Sequence, residues 1–208
     1  MIVESLIFDI DGTLWDSRAI VARGFNRQLI REGHPQLCIT AEDLRSLFGK
    51  TMREIADAML ASIPVQERYG LMERCMASEA ELLQEDPCRF GYDGVAETIK
   101  TLSERHRLFI VSNSPQGYPQ LLLEKLGLGA YFSGHLCYGD TGTDKGSTIR
   151  TLMERSGVRD ACYIGDTQGD LEASRKAGIP FIWAAYGFGQ ATEYDAVIRK
   201  PEDLLELF

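Results

Sequence analysis

The chain has 208 residues, 44% of them hydrophobic and 25% charged, which is enough for one full core or for a core with a small accessory domain. Its net charge is −9, from 22 basic and 31 acidic residues, and no basic stripe offsets it, so nucleic acid is not an expected partner. No apolar run reaches the about 18 residues that a membrane span requires. The first predicted strand begins almost at Met1, so we expect no signal peptide.

The cysteine pattern predicts a reduced, cytoplasmic protein. The chain has five cysteines, an odd number, and none of them forms a C-x-x-C pair. Scattered cysteines of this kind usually behave as small hydrophobic residues, so we expect neither disulfides nor a zinc site. The cysteines are Cys38, Cys75, Cys88, Cys137 and Cys162.

The first predicted element is a short buried strand that runs directly into two carboxylates. Apolar side chains dominate residues 2–8, and Asp9 and Asp11 follow two positions apart. Side chains two positions apart in an extended chain point to the same side, so both carboxylates should face one spot. Gly12 then allows a sharp turn. Because like charges held together are costly, this pair predicts a divalent cation or a shared proton.

The same pair of carboxylates is suited to phosphoryl transfer. One carboxylate can attack phosphorus, and the other can protonate the leaving oxygen and later deprotonate water. For this segment alone, an ordinary Asp-Gly surface turn stays open. An EF-hand calcium loop that begins at Asp9 is excluded, because Leu14 and Ile20 occupy the positions that require Gly and Glu.

Strand-like runs disappear between Thr13 and about Pro87, where the pattern predicts consecutive amphipathic helices. We therefore expect an all-helical domain over residues 16–85, inserted into an α/β domain formed by residues 1–15 and 86–208. Thr40 is the expected N-cap of the second helix, with Asp43 giving only an approximate capping box. The predicted helices span residues 17–32, 41–48, 52–61 and 65–83.

Strands and helices alternate after Pro87, which predicts an α/β fold with a doubly wound, parallel, Rossmann-like sheet. In such sheets, ligands bind beyond the carboxyl ends of the strands. Strands are predicted over residues 107–112, 135–138, 161–164, 180–185 and 196–199. Helices are predicted over residues 92–105, 118–126, 145–156 and 168–177, with a short helix from residue 201.

Three further polar clusters end strands or begin helices. Ser112 and Asn113 can donate to phosphate oxygens, although such a turn is also ordinary before a helix. Lys145 begins a helix, where a solvated lysine is the ordinary alternative. Asp166 and Asp170 lie four apart at a helix start, where either could act as a cap. Capping alone does not explain why each acidic cluster follows an apolar strand.

The order of these segments resembles the haloacid dehalogenase-like (HAD) hydrolase superfamily over essentially the whole chain. The all-helical insertion is similar to the helical cap of its phosphoglycolate phosphatase-like members. The four sequence motifs of the superfamily are matched, in order, by Asp9-x-Asp11-Gly12-Thr13, Ser112, Lys145 and Gly165-Asp166-x-x-x-Asp170.

The resemblance implies a set of catalytic roles. Asp9 would be the nucleophile and a ligand of Mg²⁺, and Asp11 the general acid/base, with its backbone carbonyl also on the metal. Asp166 would complete the protein's metal ligands, and Asp170 would reach the metal through water or support its ligands. Ser112 and Lys145 would grip the phosphoryl group, and the lysine would also offset the negative charge around the nucleophile.

Residues that contact the substrate are implied as well. In the core they would be Gly12, Thr13 and Asn113. In the cap they would come from a loop carrying Gly49, Lys50 and Arg53, for which a solvated helix end is the plain alternative. A cap of this size favours small phosphates over phosphoproteins and excludes water from the chemistry.

The resemblance thus implies a cytoplasmic enzyme that hydrolyses small phosphate monoesters with Mg²⁺, through an aspartyl phosphate on Asp9. A β-phosphoglucomutase-like sugar phosphomutase and an inorganic pyrophosphatase stay open as alternatives. A haloacid dehalogenase is disfavoured, because Asp11 and Thr13 would be superfluous there. The alternative outside enzymes is a phosphate-binding regulatory module, against which the helical insertion and the complete set of motifs both argue. The oligomeric state is not predicted.

Two features of the sequence depart from the common family pattern. Many relatives follow the third-motif lysine with proline, whereas Gly146 stands here. Gly169 lies inside the fourth motif, where it would allow a close approach of backbone to ligand or ease a turn. The aromatic and glycine-rich residues 183–189 are expected to form a core edge and a loop.

Overall fold

The computed structural model describes residues 3–87 and 90–208. The chain divides into two compact units, one formed by Met1–Asp16 with Arg89–Phe208 and the other by Ser17–Cys88. Ile2, at the start of the predicted first strand, and Cys88 lie outside the described residues. The other four cysteines are free thiols. Within the described ranges, no helix is long and apolar enough to cross a membrane.

The described part of the unit Ser17–Cys88 is helical. The first helix packs against the last, where Ser78 Oγ donates to the carbonyl of Gly24 at 2.7 Å. Gly24 is required at this crossing, because a Cβ there would lie 2.5 Å from the Glu79 Cα. The helices are α1 (Arg18–Arg31), α2 (Ala41–Arg45), α3 (Met52–Met59) and α4 (Val65–Glu85).

Two helix starts in this unit, those of α2 and α3, are capped more completely than the sequence predicts. Thr40 Oγ1 accepts from Asp43 N, and Asp43 Oδ2 accepts from Thr40 N at 2.7 Å, so the capping box is complete even with the shorter aspartate. Thr51 and Glu54 form a second, unpredicted box at the start of α3. Both helices begin at the predicted residues because these reciprocal bonds satisfy backbone donors in the first turn.

The other unit is built on a parallel sheet, and the predicted doubly wound α/β fold is confirmed. Every neighbouring pair of strands is parallel, and the spatial order is β3-β2-β1-β4-β5-β6. The described strands are β1 (Ser5–Phe8), β2 (Arg107–Ser112), β3 (Phe132–Cys137), β4 (Ala161–Gly165), β5 (Phe181–Ala184) and β6 (Ala196–Ile198).

Helices alternate with these strands along the chain. The helix Lys145–Ser156 packs on β2 and β3, and the helix Gln168–Ala177 packs on β4 and β5. These two helices also contact each other, so both connections cover the same face of the sheet. The helices of this unit are α5 (Val95–Ser103), α6 (Tyr118–Leu126), α7 (Tyr138–Thr141), α8 (Lys145–Ser156), α9 (Gln168–Ala177) and α10 (Leu204–Leu207).

Several element boundaries differ from the sequence prediction: β1 begins at Ser5 rather than at residue 2, and α2 ends at Arg45 rather than at residue 48. β3 begins at Phe132 rather than at residue 135, and residue 138 begins a helix rather than ending the strand. This edge strand is only partly buried, so it lacks the apolar run that identifies the inner strands. α5 begins at Val95 rather than at residue 92, because Gly94 has φ +82°, a left-handed conformation that does not occur inside an α-helix.

The central position of β1 determines where the polar segments meet. Phe8, its last residue, is opposite Ile110 of β2 and Ile164 of β4. Asp9 follows immediately, and Ser112 and Asp166 each come two residues after those partners. All three therefore emerge at the same edge of the sheet, beyond the carboxyl ends of its strands.

Candidate active site

A buried ion-pair cluster lies at the carboxyl end of β1. Lys145 Nζ donates to Asp9 Oδ1 at 3.0 Å and to Asp170 Oδ1 at 2.6 Å. No more than 5% of any of these three side chains is exposed to solvent. The lysine is the first residue of α8, and Asp144 caps that helix by accepting from Ser147 N at 3.1 Å. The helix start therefore fixes the ammonium between two carboxylates.

Asp170 organises the loop that follows β4. Its Oδ2 accepts from Asp166 N at 3.1 Å, from Thr167 N at 2.9 Å and from Thr167 Oγ1 at 2.7 Å. Thr167 is the N-cap of α9, and Asp170 is its capping-box partner, so neither aspartate is the N-cap that the sequence allowed. Since both oxygens of Asp170 accept protein donors, its main contact in the cluster is with Lys145.

Asp166 is held by a segment that sequence reasoning left as core edge and loop. Its Oδ2 accepts from Phe188 N at 2.7 Å and from Gly189 N at 3.2 Å. Gly187 allows this approach, since a Cβ there would overlap Asp166 and the carbonyl of Gly12. The available sequence signal was the pair of glycines at 187 and 189, which a tight approach of backbone explains.

The charged state of the cluster reflects its burial. Burial raises the pKa of Asp9 to about 7, against the opposing effect of the Lys145 ammonium. Burial, reinforced by the charges of Asp170 and Asp9, raises the pKa of Asp166 well above its usual range. Burial disfavours the charged lysine, but the two carboxylates beside it outweigh that effect and raise its pKa. Three carboxylates in one enclosed space therefore need more positive charge than one lysine supplies.

The carboxylates at this site fit a divalent metal ion. Asp9, Asp166 and Asp170 each offer an oxygen, and these oxygens all lie within 4.8 Å of one another. Asp166 Oδ1 is buried and makes no hydrogen bond within the described part of the chain, which is the arrangement expected of a ligand atom for a cation. An all-oxygen donor set is typical of hard cations such as Mg²⁺.

Asp11 lies beside this cluster and is oriented by two aromatic side chains. Its Oδ1 accepts from Trp15 Nε1 at 2.9 Å and from Tyr118 Oη at 2.9 Å. Asp11 is not a member of the three-carboxylate group, and the metal contact expected of its backbone carbonyl stays a prediction. Sequence reasoning singled out neither aromatic residue. Tyr118 carries no local signal, because it is 107 positions away in the chain.

The other predicted core residues lie close to the same strand ends. A Cβ at Gly12 would overlap the Asp166 carboxylate, so the turn after the first motif is in direct contact with the cluster. Thr13 is fully buried, and its Oγ1 makes no hydrogen bond among the described residues. Ser112 is also buried, and its Oγ accepts from Ser114 N at 3.3 Å. Asn113 is half-buried at the end of β2.

The predicted cap residues belong to the unit Ser17–Cys88. Gly49 has φ +85°, and Lys50 is exposed. The guanidinium of Arg53 lies 4.4 Å from the ring centroid of Tyr69, so this cation stacks on an aromatic face of its own unit. Their contact with substrate stays a prediction.

Comparison with known proteins gives consistent matches over most of the chain. The sequence profile described as haloacid dehalogenase-like hydrolase matches residues 6–184. A phosphoglycolate phosphatase from Agrobacterium fabrum is 30% identical over 97% of this chain and 88% of its own length. A phosphoglycolate phosphatase from Aquifex aeolicus is 25% identical over 97% of this chain and 95% of its own length.

Solved structures show the same fold. A haloacid dehalogenase-like family hydrolase from Streptococcus pneumoniae superposes with a TM-score of 0.85 at 20% identity, covering 99% of this chain and 98% of its own. A HAD-superfamily hydrolase from Geobacter sulfurreducens superposes with a TM-score of 0.75 at 19% identity, covering all of both chains.

Proposed function

Because this chain belongs to the haloacid dehalogenase-like hydrolase family, we propose that it hydrolyses small phosphate monoesters with Mg²⁺ through an aspartyl phosphate on Asp9. The coarser prediction, an enzyme of the phosphatase kind in that family, is confirmed by the family match and by the names of its relatives. The nucleophile, the metal and the substrate class form the proposal.

One observation carries the assignment of the nucleophile. Asp9 Oδ1 is 3.0 Å from the buried ammonium of Lys145, at the carboxyl end of the central strand. The lysine favours the ionised form of Asp9, which is the form that can attack phosphorus. It also supplies positive charge where the oxygens of a phosphoryl group would gather negative charge during transfer.

The first chemical step transfers the phosphoryl group to the protein. A carboxylate oxygen of Asp9 attacks phosphorus, and the bond between phosphorus and the ester oxygen breaks. The electron pair of that bond stays on the leaving oxygen, which takes a proton from the carboxylic acid of Asp11. The products are an alcohol, an aspartyl phosphate on Asp9 and the Asp11 carboxylate.

The second step releases phosphate. The Asp11 carboxylate takes a proton from water, whose oxygen attacks phosphorus. The bond between phosphorus and Asp9 breaks, and its electron pair restores the Asp9 carboxylate. Both aspartates then have their initial protonation, and the net reaction consumes one ester and one water. The mechanism requires both groups at the same phosphorus, and Asp11 follows Asp9 by two residues in the chain.

The residues that would hold Mg²⁺ are Asp9 and Asp166, with Asp170 supporting them through Lys145 and the loop after β4. The cation supplies charge stabilisation to the transferring phosphoryl group. Asp166 presents the buried Oδ1, and the amides of Phe188 and Gly189 hold its other oxygen. With Oδ2 held by the two amides, Oδ1 of Asp166 is the oxygen proposed to bind the cation.

A small phosphorylated metabolite is the proposed substrate. Phosphoglycolate is the first compound to test, since relatives of 25–30% identity that span nearly the whole chain are named for it. Gly12, Thr13, Ser112 and Asn113 are the proposed contacts in the α/β unit. The cap residues Gly49, Lys50 and Arg53 complete the proposal; their test is substitution followed by a comparison of KM values.

The test is a phosphate-release assay with Mg²⁺ over phosphoglycolate, hexose phosphates, mononucleotides and pyrophosphate. Asp9→Asn keeps the size of the side chain but removes the nucleophile, so its activity should fall to background. Asp160→Asn, at an exposed position, is the matched control and should retain wild-type activity. Equal rates for Asp9→Asn and wild type would contradict the proposal. Phosphate release from pyrophosphate alone would show that the substrate is not a phosphate monoester.

A further inference from the structure

Two donors converge on one oxygen of Asp11. Trp15 Nε1 and Tyr118 Oη each lie 2.9 Å from Oδ1. The donors reach that oxygen from different parts of the same unit, one from the turn after β1 and the other from the first residue of α6. A side chain with two donors on one oxygen cannot rotate without breaking both hydrogen bonds.

Packing fixes the two donors. Trp15 is fully buried, and its ring meets those of Phe90 and Tyr118 edge-on, with centroids 6.1 Å and 5.8 Å away. Gly12 N donates to the carbonyl of Trp15 at 3.0 Å, and Asp16 N donates to the carbonyl of Phe90 at 2.8 Å. The turn that carries Asp11 is thus tied to the segment before α5, and the indole has one available orientation.

The two oxygens of a carboxylic acid differ as acceptors. The carbonyl oxygen accepts two hydrogen bonds readily. The hydroxyl oxygen carries the acid proton, so it is a donor and a poor acceptor. An oxygen that already accepts two donors is therefore the carbonyl oxygen of the acid. In the acid form of Asp11, Oδ1 has this role and the proton is on Oδ2.

We propose that Trp15 and Tyr118 are positioning residues that fix Asp11 through Oδ1 and so present the proton on Oδ2 to the leaving group. This inference rests on the proposed function, in which Asp11 protonates the ester oxygen. When that proton has left, the same two hydrogen bonds become charge-assisted and stabilise the carboxylate that forms. The two residues therefore assist the departure of the alcohol and do not touch the substrate.

A role in proton donation can be tested by comparing esters whose leaving groups differ in their need for a proton. Phenyl phosphate releases a phenolate that needs a proton, whereas dinitrophenyl phosphate has two nitro groups on the same ring and releases an anion that is stable without one. Each variant is therefore compared with wild type on the same ester. The ratio kcat/KM covers the steps up to the first irreversible one, which here is formation of the aspartyl phosphate. Only an impaired proton donor lowers this ratio for one ester and not for the other.

Tyr118→Phe is the first variant, because it removes the hydroxyl and keeps the ring that packs on Trp15. We expect kcat/KM for phenyl phosphate to fall about tenfold, the size of one lost charge-assisted hydrogen bond. For dinitrophenyl phosphate we expect it to stay within about twofold of wild type, since that step needs no proton. Tyr194→Phe is the matched control in the same unit. Its ring stacks on Trp183, and it should leave both ratios unchanged.

Trp15→Phe tests the second donor. It should show the same selective loss, and the double variant should lose about a hundredfold for phenyl phosphate, as expected when a general acid is disabled. Because Trp15 is buried, its variant needs a thermal unfolding measurement alongside. If less of the variant is folded than of wild type, kcat/KM falls equally for both esters. This loss of folded protein is therefore distinguishable from a loss for phenyl phosphate alone.

Three outcomes overturn the inference. The first is an equal loss for both esters in Tyr118→Phe, which a merely structural role would produce. The second is no loss for either, and the third is a faster reaction of phenyl phosphate, which would mean that the donors hold Asp11 away from the leaving group. Failure of the proposed function itself looks different: wild type would then show no Asp9-dependent phosphate release from either ester or from any compound of the phosphate panel.

Discussion

The buried ammonium of Lys145 lies 3.0 Å from Asp9 Oδ1, so the first residue of α8 and the proposed nucleophile form an ion pair across 136 positions of the chain. The same ammonium is 2.6 Å from Asp170 Oδ1. One cation therefore stands between two buried carboxylates, with a third, Asp166, in the same group. This arrangement makes the site a candidate for catalysis. It also means that the stability of the fold depends on how the buried carboxylates are neutralised.

Removal of the lysine charge should destabilise the protein strongly. Lys145→Met keeps a side chain of similar length but leaves buried carboxylates without their partner, so we expect the free energy of unfolding to fall by about 3 kcal/mol without added divalent cation. Urea unfolding measures this free energy in wild type and in the variant. Lys176→Met is the matched control, because that lysine pairs with Asp144 at a half-exposed position and its loss should cost less than about 1 kcal/mol. Equal losses in the two variants would argue against the buried cluster.

Divalent cation should stabilise the fold. The three buried carboxylates repel one another less when a cation is bound, so Mg²⁺ should raise the Tm of wild type and EDTA should reverse the effect. At about one hundred times Kd, the expected gain is about 2.7 kcal/mol. Calorimetry of Asp166→Asn should show a much smaller gain, because Oδ1, the buried oxygen that makes no hydrogen bond among the described residues, is replaced. Asp160→Asn should respond as wild type does. The same gain in both variants would contradict the assigned ligand.

The cap of α8 should show a defined dependence on pH. The hydrogen bond from Lys176, together with those from Ser147, lowers the pKa of Asp144 from 3.8 to about 2. Since the pKa is lower in the folded protein, this stabilisation is complete above pH 3.8 and is lost as the pH falls toward 2.

At pH 7, Asp144→Ala should cost about 1 kcal/mol of unfolding free energy. The difference from wild type should shrink between pH 3.8 and about 2. Asp144→Asn keeps a capping oxygen without the charge, so its stability relative to Asp144→Ala should not change with pH in that range. Chemical denaturation across this pH range measures both. A constant difference between wild type and Asp144→Ala would show that the charge contributes nothing.

Two glycines near the site should respond oppositely to alanine. A Cβ at Gly146 would lie 2.9 Å from the Ala173 carbonyl and from the Lys176 Cβ, so Gly146→Ala should destabilise by about 1–3 kcal/mol. Gly169 is inside α9, and its nearest contact would be Thr167 Oγ1 at 3.6 Å, so Gly169→Ala should stabilise by about 0.5–1 kcal/mol. Thermal unfolding of both variants, compared with wild type, tests these two expectations. A stabilising Gly146→Ala would contradict the close approach of α8 to α9.

The same comparison explains the two departures from the family pattern. Gly146 replaces proline after the third-motif lysine because α8 and α9 meet there too closely for a side chain. A Cβ at Gly169 would meet only Thr167 Oγ1, at 3.6 Å, so packing within the protein does not require a glycine there, and a close approach to a ligand stays a prediction.

Much of the site could be predicted because its residues are local to strand ends and helix starts. Asp9 and Asp11 follow one buried strand, and Lys145 and Asp170 lie in the first turns of helices. Apolar periodicity predicted those strand ends and helix starts, and the resemblance to the family selected these residues among the polar residues there. The confirmed parallel sheet then brings those ends to one edge.

The rest of the site could not be predicted, for two physical reasons. The donors that hold Asp166 are backbone amides of Phe188 and Gly189, and the pair of glycines at 187 and 189 is a signal too unspecific to name their partner. The donors on Asp11 are aromatic side chains, which a sequence pattern assigns to the core. Edge strand β3 was misplaced for a similar reason, since partial burial removes the apolar run.

Trapping of the intermediate tests the central claim most directly. Enzyme mixed with its best substrate is quenched in acid within one turnover and reduced with borohydride, which converts an acyl phosphate to an alcohol. The position of the change is then read by peptide mass spectrometry. The account predicts reduction at Asp9 in wild type and none in Asp9→Asn. Full turnover with no reduced residue, or with reduction at Asp11 or Asp166, would contradict it.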